Sequence, residues 1–118
     1  YLCRWPSAAT IENGAMDGAF FETYVITEII KSYYNAGKQP NLYYYRDVDK
    51  KEIDLLIIDG KKVYPIEIKK AKLPNHADKN FKVLDKLDMD VQTGLIICMN
   101  DELLPYSRTS WYCPVSLL

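Results

Sequence analysis

Two carboxylates stand where an apolar strand should exclude them. Asp54 sits inside Ile53-Leu55-Leu56-Ile57-Ile58, Glu67 sits between Ile66 and Ile68, and Lys69 follows Glu67 by two positions. Strands this apolar are usually buried, and an unpaired carboxylate in a buried strand costs several kcal/mol. A chain that keeps two of them beside a lysine has a use for them. Residues two apart on a strand share a face, so Glu67 and Lys69 project together. Asp59-Gly60, between the two runs, supplies the positive φ of a tight hairpin turn. Asp54 lies six residues before Gly60 and Glu67 seven after it, roughly opposite on neighbouring antiparallel strands. Two close carboxylates repel unless one is protonated or a cation lies between them. Such oxygen ligands suit Mg²⁺ or Mn²⁺, which also hold waters and a phosphate. A lysine there would orient or deprotonate an attacking water, or stabilise negative charge on the phosphate.

Helices and further strands must position this hairpin. Phe20, Phe21, Tyr24, Val25, Ile29 and Ile30 recur at helical spacing, with Asp17 as a candidate cap and Gly37 and Pro40 as stop signals. Glu22 lies at the edge of that stripe. A glutamate there is commonly just solvated, but it joins the acidic pair if the helix packs over the hairpin. Leu42–Arg46 (LYYYR) reads as a short aromatic strand, followed by the two hairpin strands. After the KLPNH loop, Asn75 or Asp78 caps a second expected helix, with Phe81, Leu84 and Leu87 (and Val83) buried. Gln92–Met99 returns to strand character, and Trp111–Leu118 reads as a last strand, with Pro114 favouring an edge or end position. The first three strands form an antiparallel meander, and the fourth, after a crossover helix, runs parallel to the third.

With 118 residues, the chain makes one domain of ordinary globular composition. No apolar run is long enough to cross a bilayer. The chain opens without methionine on YLCRWPS, and residues 1–16 show no periodicity; the expectation is a linker from an upstream domain, with the folded domain at 17–118. Three widely spaced cysteines without a CxxC pair, and the single His76, argue against structural zinc and fit a reduced, cytoplasmic setting. The net charge of -1 gives no bulk drive towards nucleic acid. Lys61, Lys62, Lys69, Lys70, Lys72, Lys79 and Lys82 form either a solvated lysine face, the commoner outcome, or a phosphate-facing patch.

Asp54 followed after a turn by Glu67-Ile68-Lys69 resembles the D…ExK signature of the PD-(D/E)xK nuclease superfamily. GAFFETYVITEIIKSYY, LYYYRDVDKKEIDLLI, YPIEIKKA and WYCPVSLL further resemble a domain of unknown function attached to the C-terminus of bacterial and archaeal AAA+-type ATPases. The resemblance implies an α/β restriction-endonuclease-like core (αβββαβ), a mixed sheet flanked by helices. It also implies an upstream ATPase domain, and Glu22, Asp54, Glu67 and Lys69 at the superfamily's site positions. Glu52-Ile53 stands where a proline often precedes the first carboxylate.

The expected function is a Mg²⁺- or Mn²⁺-dependent nuclease domain acting on DNA, with Asp54, Glu67 and Glu22 as metal ligands and Lys69, Glu67 and Asp54 as catalytic residues. The rival expectation is a catalytically silent, nuclease-like binding or regulatory module of the ATPase. Arg46 is the candidate nucleic-acid contact, or else pairs with Asp47 or Asp49. Tyr43, Tyr44 and Tyr45 either stack on bases or, more commonly for strand aromatics, pack the sheet. His76 is expected at the surface, Lys70 in solvent and Cys98 in the core.

Overall fold

The computed structural model describes residues 2–4 and 17–118, with side chains from Phe20 onward. Among the described residues it is a mixed α/β structure with one α-helix, α1 (Asp17–Asn35). Its strands are β1 (Leu2–Arg4), β2 (Leu42–Arg46), β3 (Glu52–Asp59), β4 (Lys62–Ile68), β5 (Asp90–Val91), β6 (Gly94–Cys98), β7 (Leu104–Pro105) and β8 (Ser110–Pro114). Seven strands lie in the order β1-β2-β3-β4-β6-β8-β7, and β5 pairs alongside β4. The β2-β3-β4 meander is antiparallel, and β6 runs parallel to β4 as expected from the sequence. No helix among the described residues is long and apolar enough to cross a membrane.

Helix α1 ends as its sequence dictates. Gly37 takes φ +71°, the Lys38 N–H donates to Tyr33 O at 2.9 Å and the Gly37 N–H to Tyr34 O at 3.0 Å. This is the paired bonding of a Schellman cap, for which glycine carries no Cβ penalty. Val25, Ile26, Ile29 and Ile30 bury against Leu42, Leu55, Ile66, Ile68, Ile97 and Cys113 on one face of the sheet. Phe20 and Tyr24, expected in that stripe, are instead exposed. They stand one turn apart on the helix flank, while the sheet meets the face centred on Ile26 and Ile29. The cap expected of Asp17 lies outside the described side chains.

The second expected α-helix is absent; the opposite face is covered by a six-residue 3₁₀ helix, Phe81–Lys86, which buries Phe81, Val83 and Leu84. The sequence contains the reason. Phe81, Leu84 and Leu87 recur every third residue, and a 3₁₀ helix eclipses positions three apart whereas an α-helix spreads them. Upstream, the segment is bent rather than helical: His76 is exposed with φ +55°, and its N–H donates to Tyr106 Oη. Among the described residues the sheet is therefore flanked by one α-helix, not two. Leu2–Arg4, within the expected linker, pairs as an edge strand with β2; most of residues 1–16 lies outside the described residues. The last strand stops at Pro114, and Val115–Leu117 turns into a 3₁₀ helix.

The crossover fits closely at one point. A Cβ added to Gly94 would lie 2.5 Å from Phe81 Cε2 and 3.2 Å from Pro65 O. Gly94→Ala is expected to destabilise the domain by about 1–3 kcal/mol through overpacking. A lower urea midpoint at an unchanged m-value is the readout, and adding Phe81→Leu should recover part of the loss.

Candidate active site

The hairpin turn comprises Gly60 and Lys61, since Asp59 pairs with Lys62, and Gly60 takes φ +62°. This one-residue shift from the expected turn makes Asp54 and Glu67 equidistant from it. The β3–β4 ladder closes at Leu55 opposite Ile66, and the two acids are the next residues along. There the ladder opens. The Ile68 N–H, the next donor towards β3, goes to the Asp54 side chain, at 2.9 Å from Oδ2. On the other side, β4 remains stitched to β6, with the Lys69 N–H donating to Ile97 O at 3.0 Å.

A β-bulge positions Asp54. Tyr43 pairs with Leu56 and Tyr45 with Ile53, so Tyr44 alone faces both Asp54 and Leu55. Bulges break the two-residue alternation and re-aim a side chain. Here Ile53 and Leu56 bury together on the face covered by the 3₁₀ helix, while Leu55 buries against α1. Asp54, at the break, interacts with groups on both sides: it is hydrogen-bonded to Glu67 and electrostatically coupled to Glu22 on α1. Glu67 itself is only 6% exposed.

Burial holds the Glu67 carboxyl up to about 9, assisted by its hydrogen bond to Asp54 and by the Asp54 charge; the Lys69 ammonium and the Asp54 N–H act against this. Glu67 therefore keeps its proton at neutral pH. Burial also raises Glu22 to about 7, with Asp54 and Glu52 adding repulsion and Lys69 offsetting it. The structure thus brings all four expected residues, Glu22, Asp54, Glu67 and Lys69, into one electrostatic neighbourhood. Among the described residues no group of three or more His, Cys, Asp or Glu is arranged as an all-protein metal cage.

Glu52 was not singled out in the sequence. It lines a cleft of about 350 Å³ together with Glu22, Tyr44, Tyr45, Arg46, Ile53 and Asp54. It also forms an ion pair with Arg46, Nε to Oε1 at 2.9 Å, a partner other than the Asp47 or Asp49 that the sequence suggests. Asp47 instead organises the β2–β3 turn, accepting the N–H groups of Asp49 and Lys51 and the Tyr45 hydroxyl. The signal for Glu52 was its position two residues before Asp54, on the strand that pairs back to Arg46. Asn80, at the start of the 3₁₀ helix, donates to Glu52 O at 2.9 Å and ties that element to the same strand. The clustered lysines are exposed, and Cys98 is buried with its thiol donating to Asn100 Oδ1.

No curated protein and no solved structure matches the chain significantly. One family profile matches residues 17–118, from the first residue of α1 to the end of the sequence. The chain belongs to that family, a domain of unknown function, DUF4143.

Proposed function

We propose that this domain is a divalent-metal-dependent phosphodiesterase acting on DNA, built on a restriction-endonuclease-like core and carried at the C-terminus of an AAA+-type ATPase. The observation that supports it most is the Asp54–Glu67 pair, hydrogen-bonded where the β3–β4 ladder opens, with Lys69 acting electrostatically on Glu67 and Glu22. The order α1, β2, β3, β4, crossover, β6 agrees with that core, a 3₁₀ helix standing in for its second helix.

The residues fit Mg²⁺ or Mn²⁺. Mg²⁺ is commonly held by one or two carboxylates and fills its remaining positions with waters and substrate phosphate, so it needs no three-acid cage. Asp54 and Glu67 would hold it, with Glu22 as the third acid. At such a site the ion lowers the pKa of a bound water and offsets phosphate charge. The chain's own groups do the rest. The Ile68 N–H orients the Asp54 carboxylate. The exposed Lys69 ammonium stabilises charge developing on the phosphate.

Thermal unfolding with and without Mg²⁺ or Mn²⁺ tests this reading. The ion binds only the folded chain, so at about 100 times its Kd it should add about 2.7 kcal/mol of stability. Asp54→Asn should lose most of that gain. The acidic balance of the cleft, three carboxylates to one arginine, favours a second reading, a silent binding module of the ATPase. Unmutated and Asp54→Asn chains that melt identically with and without metal would establish the module instead.

A further inference from the structure

The pleat separates three consecutive tyrosines. Tyr45 is buried and Tyr43 packs beside it, both with Ile53 and Leu56 under the 3₁₀ helix. Tyr44 leaves the other way, half-buried, into the cleft bordered by Glu22, Arg46, Glu52 and Asp54, to which Tyr45 and Ile53 also contribute wall. Because of the bulge it is the one β2 residue that faces Asp54. A broad aromatic ring thus stands next to the acid that anchors the proposed chemistry, with an arginine two residues further along the same strand.

The cleft's size and charge define what enters it. Its volume of about 350 Å³ is that of a small-ligand cleft. Specific duplex-binding surfaces bury about 1,000–2,500 Å² and are strongly positive. Here carboxylates outnumber cations, so phosphate attraction cannot supply the grip. Stacking can, because every base presents a π-face whatever the charge around it. Arg46 adds a phosphate contact at small cost: its ion pair with Glu52 is open to solvent, the two side chains being 65% and 53% exposed. Exposed pairs of this kind exchange partners readily, and a guanidinium matches phosphate with two parallel bonds.

We propose that Tyr44 is a stacking platform for the base beside the scissile phosphate, and that the cleft takes an unpaired DNA strand in preference to a duplex. The word scissile rests on the phosphodiesterase reading; the binding does not. Two measurements separate them. A fluorescent oligodeoxythymidine is titrated into the Asp54→Asn chain in EDTA, alone and annealed to its complement, and cleavage of both forms by the unmutated chain is followed in Mn²⁺. The single strand should bind more tightly than the duplex. Tyr44→Ala should weaken single-strand binding roughly 5- to 100-fold. Tyr44→Phe should retain binding, and Tyr44→Leu, which keeps bulk at the site and guards against misfolding, should lose it. Duplex bound as tightly as single strand, no single-strand binding, or Tyr44→Leu binding like tyrosine would each overturn the inference. Tyr44-dependent binding without cleavage would sustain it and sink the phosphodiesterase reading. Cleavage indifferent to Tyr44→Leu would do the reverse.

Discussion

Lys69→Ala is expected to cut phosphodiester cleavage by about 100- to 1,000-fold in kcat, the range seen when one preorganised charge donor is removed from a reaction centre. Its metal-dependent gain in Tm should persist, because in the proposed mechanism the lysine serves the chemistry and Asp54 and Glu67 serve the ion. The two readouts separate Lys69 from Asp54, whose replacement by Asn should abolish both. One further consequence is specific to this geometry. The Lys69 ammonium holds down both Glu22 and Glu67. Removing it should lower the stability of the metal-free domain above neutral pH, while leaving it nearly unchanged at about pH 5, where those acids are protonated. Cleavage that survives Lys69→Ala undiminished would remove the lysine from the mechanism.

Stability in the absence of metal should fall as pH rises. Glu67 holds its proton in the folded state up to about 9, against an ordinary value of 4.5, and Glu22 up to about 7. Between those limits the folded chain binds protons that the unfolded chain has released, so each unit of rising pH favours unfolding. The loss begins near the ordinary carboxyl value, is steepest while both acids contribute, and ends once Glu67 ionises. Glu67→Gln should flatten the curve: its amide can still donate to Asp54, but it carries no ionisable proton. Near pH 5 the variant should match the unmutated chain. At about pH 8.5 it should be more stable by about 1–3 kcal/mol, roughly 5–15 °C in Tm. Saturating Mg²⁺ should flatten the unmutated curve too, since metal and proton compete for the same oxygens. Parallel curves for the two chains in EDTA would mean that Glu67 is ionised in the folded state, and the account of a protonated Glu67 would fall.

Local pattern alone determined much of this protein. The apolar stripe and Gly37 specify α1, alternation and the Gly60 turn specify the β3–β4 hairpin, and equal distance from that turn sets Asp54 opposite Glu67. These features depend on residues close in sequence, where period and turn chemistry act directly. The strands of two or three residues, β1, β5 and β7, carried no such signal, because a period of two cannot be read from so short a run. The every-third spacing of Phe81, Leu84 and Leu87 favours the 3₁₀ coil over the expected α-helix, and their packing against β3 and close to Gly94 accommodates it. Tertiary structure alone decided the bulge, since it arises from a mismatch in count between β2 and β3 and not from either strand by itself. That mismatch turns Asp54 towards both Glu22 and Glu67, sets Tyr44 in the cleft beside Asp54, and leaves Arg46 to pair with Glu52. The sequence names the acids and the lysine; which acids hold a proton depends on burial and on distances between strands, and those exist only once the sheet has formed.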